Sequence, residues 1–116
     1  MKSSTRHMGI VRDAFTGRRI CVIVGNTIRE ERYGPVLGVI TIDRIFGGVT
    51  TKVVATIHNT YLRSESGAEI VATICSNEIY EGIDGPLLAI FDGGIQTGMG
   101  GAAFLLSLLN DFGDEE

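Results

Sequence analysis

The residues best suited to chemistry are Asp92-Gly-Gly-Ile-Gln-Thr-Gly-Met-Gly-Gly101. This run leaves an apolar strand-like segment and opens a helix. The first N–H groups of a helix lack intrahelical acceptors, and the helix dipole adds positive potential there. Such a start therefore attracts phosphate or carboxylate. Glycines let the backbone approach a ligand closely. The ligand-binding residues expected on these grounds are Asp92, Gly93, Gly94, Thr97, Gly98, Gly100 and Gly101. The same glycines also fit a second reading, a tight strand-to-helix turn in which small residues serve close packing.

Other constellations say less. His58 could act as a base beside Cys75 or Ser76, but nothing in the sequence brings the three together. A structural metal site wants ligands in short-spaced pairs, and His7, Cys21, His58 and Cys75 form none, so no metal is expected. Among the carboxylates Glu30, Asp43, Glu81, Asp84 and Asp92, either Asp92 or Glu81 could serve as an acid–base group. An enzyme acting on a phosphorylated or carboxylated small molecule is thus the alternative to a binding protein. A purely structural subunit of a larger assembly is the third reading.

Leu87 to Gly98, read as strand, Asp-Gly-Gly-Ile and then Thr-Gly, resembles the phosphate-binding turn of FMN-dependent α-hydroxy-acid oxidases and related flavin barrels. In that family the turn contacts the FMN phosphate, which by likeness points at Gly93, Gly94 and Gly98. A complete (β/α)₈ barrel takes about 250 residues, more than this chain has. No cofactor is assigned.

The elements that must position the run are organised by an offset. Sliding the chain by 51 positions lays Arg18–Ile40 on Glu69–Phe91 without a gap. The offset matches Ile23 with Ile74, Asn26 with Asn77, Ile28 with Ile79, Glu30 with Glu81, Gly34 with Gly85, Pro35 with Pro86 and Leu37 with Leu88. Residues 8–58 and 59–110 are therefore expected to be an internal duplication. In the first unit Arg19–Val24 and Pro35–Ile42 read as strands, with Gly25–Gly34 a connection. Val49–Asn59 combines β-branched composition with apolar residues at helical spacing, and is read as helix because its partner Gly101–Asp111 is rich in helix formers. In the second unit Tyr61–Arg63 and Glu69–Cys75 read as a hairpin around Ser64–Gly67, followed by a strand at Leu87–Phe91. The fold expected is α+β: internally duplicated β-β-β-α units forming a largely antiparallel sheet with two helices on one face.

The last helix carries Ala102, Phe104, Leu105, Leu106, Leu108, Leu109 and Phe112 around most of its circumference. A helix apolar nearly all round needs burial on more than one side. One sheet covers only one side, so a homo-oligomer built through the C-terminal helix is expected.

Composition bounds the partners. A net charge of −4 disfavours nucleic acid, and the Arg18, Arg19, Arg29, Arg32 cluster is interrupted by Glu30 and Glu31. The longest apolar runs fall well short of a membrane span of about 18 residues. Cys21 and Cys75 lie in apolar runs and read as reduced core residues. No signal peptide is visible, so a cytoplasmic protein is expected. Residues 1–7 read as a leader ahead of Met8, and Gly113–Glu116 as a short acidic tail. The function expected is a small self-associating protein that holds a small anionic ligand at the Asp92–Gly101 turn.

Overall fold

A computed structural model describes residues 8–48 and 52–110. Ten strands precede a single α-helix among these residues. They are β1 (Met8–Asp13), β2 (Arg19–Val24), β3 (Thr27–Arg29), β4 (Gly38–Ile40), β5 (Arg44–Gly47), β6 (Val53–His58), β7 (Tyr61–Ser64), β8 (Ile70–Cys75), β9 (Glu78–Glu81) and β10 (Leu87–Phe91). The helix α1 spans Ile95–Leu105, and a 3₁₀ turn follows at Leu108–Asn110. Each strand pairs antiparallel with the next, and β10 returns to pair with β1, closing the sheet into a barrel. Closure removes both sheet edges.

Alternation along the strands fills the interior. Val11, Cys21, Ile23, Ile28, Ile40, Ile45, Leu62, Ile74, Ile79 and Phe91 are buried and belong to one core. Their odd-even neighbours Arg12, Arg29, Arg44 and Arg63 lie outside it. Two-residue connections link β2 to β3, β6 to β7 and β8 to β9. The first residue of each has positive φ: Gly25 at 64°, Asn59 at 58° and Ser76 at 55°. That conformation matches the twist of paired strands, and Gly and Asn tolerate it best.

Inside the ring runs α1. Added Cβ atoms show the direction each helical glycine faces. At Gly98 the atom would lie 2.7 Å from the Phe91 ring, at Gly100 2.6 Å from Ile23 Cδ1, and at Gly101 2.7 Å from Val11 Cγ2. The helix thus meets wall from β1 to β4 and from β7 to β10, the 3₁₀ turn meets β5 and β6, and small residues let the helix fit. Thr97 through Ala103 are all buried.

This architecture corrects the sequence expectation. The fold is mostly β, a closed antiparallel barrel, and not an α+β sheet with two helices on one face. Val53–His58, expected as helix, is strand β6, while residues 49–51 lie outside the described residues. There the β-branched propensity of Val53, Val54, Thr56 and Ile57 prevails over the helical spacing, because β5 and β7 on either side supply pairing partners. Short strands β3, β5 and β9 were not expected; β3 sits within the segment read as a connection. The remaining helix begins at Ile95 and not at Gly101, since the glycines continue the helix where side-chain volume is excluded.

The internal duplication is overturned with the fold class. Residues 44–58 form two strands where residues 95–109 form a helix and a turn, so the halves are not two copies of one shape. A narrower fact remains at the offset of 51. Ile23 pairs with Ile28 and Ile74 with Ile79, Val11 with Cys21 and Leu62 with Ala72, Thr27 with Val39 and Glu78 with Ile90. It concerns strand register alone.

The expected leader and acidic tail lie outside the described residues. Among the described residues, no helix is long and apolar enough to cross a membrane. The barrel wall buries Thr97 through Ala103 of the helix, whereas Phe104, Leu105, Leu106 and Leu108 are partly buried and Phe112 lies outside the described residues.

Candidate functional site at the barrel mouth

The first turn of α1 stands at one open end of the barrel. Around it lies a cavity of about 470 Å³ lined by Met8 and Gly9 of β1, Ile23 of β2, Gly25 and Asn26 of the β2–β3 turn, and residues 93–97. Barrel mouths are common places for small-molecule sites.

The junction that aims the helix is built from Asp92 and Gly93. Asp92 N–H donates to Ile10 O at 3.2 Å, and Ile10 N–H donates to Asp92 Oδ1 at 2.9 Å. The carboxylate thereby extends the β1–β10 pairing by one residue. Gly93 then takes φ of 96°, a backbone region that side chains rarely adopt, and turns the chain inward over the barrel. Gly94 is the N-cap residue and provides no side-chain cap. Thr97 N–H donates to Gly94 O at 2.9 Å. Among the described residues, the N–H groups of Gly94, Ile95 and Gln96 have no acceptor.

Thr97 is only 6% exposed and is the single buried polar residue of the described chain. Its side chain lies against Gly9 and Gly93, where a Cβ would fall 2.2 Å and 2.9 Å from its Oγ1. Among the described residues its hydroxyl has no hydrogen-bond partner. Leaving such a group unpaired costs about 1–3 kcal/mol. No lysine or arginine lines the cavity; its other walls are Met8, Ile23, Ile95 and the glycines.

Of the residues expected to bind a ligand, Gly93, Gly94 and Thr97 line the cavity. Asp92 is exposed beside it and holds Ile10. Gly98, Gly100 and Gly101 face the barrel core, where they admit Phe91, Ile23 and Val11. Sequence reading missed the opposite wall, Met8, Gly9, Ile23 and Asn26. Asn26 was noted as matching Asn77 across the offset, and the two now differ. Asn77 Nδ2 donates to Phe91 O at 2.8 Å, while the exposed Asn26 side chain has no partner among the described residues.

The remaining titratable candidates lie elsewhere. Glu81 sits toward the opposite end, beside Gly82, Leu106 and Leu108. Burial pushes the Cys21 thiol up to about 12, so it stays protonated and inert. No protein-family model, no curated protein and no solved structure matches the chain.

Proposed function

We propose that the protein binds a small anionic molecule at the barrel mouth, with its carboxylate or phosphate group on the first turn of α1. The supporting observation is the Thr97 hydroxyl, buried in the cavity wall without a partner beside three N–H groups that also lack acceptors. One oxyanion could accept from all of them. Met8, Ile23 and Ile95 would hold an apolar body. With Asp92 close by and no cationic side chain in the lining, a single negative charge suits this site better than two, which favours a carboxylate.

Thermal denaturation with hexanoate as the probe tests this. At 100 times its Kd the ligand should stabilise the protein by about 2.7 kcal/mol. Thr97→Val should abolish the shift while leaving the free protein as stable or more so, since it deletes an unpaired buried hydroxyl. No shift in the wild type, or an equal shift in Thr97→Val, would reject the reading.

Catalysis by Asp92 has less support, because the Ile10 N–H already occupies one carboxylate oxygen. A cytoplasmic location accompanies the proposal and is supported by two free cysteines, buried Cys21 and exposed Cys75. Self-association through the last helix rests only on the partly buried Phe104, Leu105, Leu106 and Leu108. A solution mass tests it.

A further inference from the structure

A second cluster lies on the outer wall, away from the mouth. Antiparallel register places Arg44 of β5 opposite Thr56 of β6, and Thr56 opposite Arg63 of β7. All three point outward, because the neighbours Ile45, Ala55 and Leu62 are buried in the core. Adjacent strands are about 4.8 Å apart, so the two arginine backbones lie about 10 Å from each other on either side of Thr56. Long side chains from both can converge over the middle strand. His58, two residues beyond Thr56 on the same face, completes a depression of about 480 Å³ together with Ile57 and Asp43.

The bonding leaves this cluster with unused donors. Arg63 gives one N–H to Gly67 O at 3.2 Å, which fixes its stem and leaves its other donors. Thr56 Oγ1 donates to Ser64 O at 3.3 Å. The Arg44 guanidinium has no hydrogen bond or ion pair among the described residues, and neither does the His58 ring; Arg44 meets Thr41 through its backbone alone. Asp43, the acidic residue of the depression, takes the Thr41 hydroxyl at 3.4 Å and pairs with neither arginine. Arg44 on β5 and Arg63 on β7 place like charge on either side of β6, and an anion held between them offsets that repulsion.

We propose that Arg44, Arg63 and His58 form an oxyanion clamp for a phosphate dianion. Guanidinium forks match phosphate oxygens two at a time, and the His58 ring supplies one further N–H donor. The chemistry differs from that of the mouth, where no cationic side chain lines the cavity. A patch three strands wide on a chain of net charge −4 suits a small ion and not a polyanion.

Proton NMR of the full chain tests the clamp, since His7 and His58 are its two histidines and His58→Gln assigns the signal. Titration with inorganic phosphate should shift the His58 ring resonances saturably. Phenyl phosphate in a parallel arm separates an inorganic ion from a monoester by which binds tighter. Arg44→Gln removes a side chain without structural partners and should weaken binding roughly tenfold or more. Asp43→Asn should strengthen it, an effect that a purely structural role would not give. Thr97→Val should leave it unchanged, so loss of the mouth site and loss of the clamp are told apart. Absence of a His58 shift, undiminished binding in Arg44→Gln, or binding of a polyanion such as heparin with none of phosphate would each overturn the proposal.

Discussion

Residues 44–58 and residues 95–109 stand at matching positions after four strands of shared register, yet one segment builds wall and the other fills the barrel. Ile45, Val53, Val54 and Ile57 carry β-branched bulk and take neighbours on both sides. Gly98, Gly100, Gly101, Ala102 and Ala103 have almost no side-chain volume, and the ring leaves them a space only a thin helix can occupy. Had the second segment also formed strands, the ring would be wider and its centre empty. A closed sheet of this size needs both wall and contents. Matching spacing sets how strands pair; side-chain volume sets what comes after them.

Replacing Ile45, fully buried on β5, with Ala should break the comparison most strongly. A loss of about 2–5 kcal/mol in urea denaturation is expected. Gln96, its counterpart at the same offset, is exposed, and Gln96→Ala should stay within roughly 0.5 kcal/mol. Filling the helix should come next. Gly101→Leu would drive a side chain into Val11 and Ile79, with an expected loss of roughly 1–3 kcal/mol. Gly94→Leu meets open space, so it should spare stability while blocking hexanoate at the mouth. A smaller difference should separate the matched asparagines. Asn77→Ala deletes the bond to Phe91 O and should cost about 1 kcal/mol, whereas Asn26→Ala should be close to neutral.

The smallest effect concerns pH. Cys21 has its folded pKa raised from 9.0 to about 12 by burial. The unfolded thiol ionises first, so the stabilising contribution is complete below pH 9 and declines as pH rises toward 12. Cys21→Ala should flatten that part of the curve. Cys75, exposed, should react with a thiol reagent in the native protein, and Cys21 only after unfolding.

Much of the local structure could be read from residues. Arg19–Val24 and Leu87–Phe91 are strands as their composition suggests, whereas the Gly25-Asn26 turn lay hidden within a longer connection and the Ser76-Asn77 turn gave no signal that was read. That a glycine-rich turn after Phe91 opens a helix was also legible, but its length was not: the run reads as a turn over Asp92–Gly101, and the helix starts at Ile95. Gly98, Gly100 and Gly101 misled, since glycine for approach to a ligand and glycine for approach to a wall look alike in one dimension. Arg44 and Arg63 gave no sequence signal as a pair, because only strand pairing through β6 brings them onto one row.

By itself the sequence determined that segments such as Arg19–Val24 and Leu87–Phe91 extend and that a helix follows the glycine-rich turn after Phe91. These follow from backbone preferences and apolar spacing that act over a few residues. Tertiary structure alone decided that Val53–His58 is wall, that β1 meets β10, and that the helix passes through the ring. Those outcomes depend on which distant surfaces exclude water together and on how much volume the closed sheet leaves at its centre.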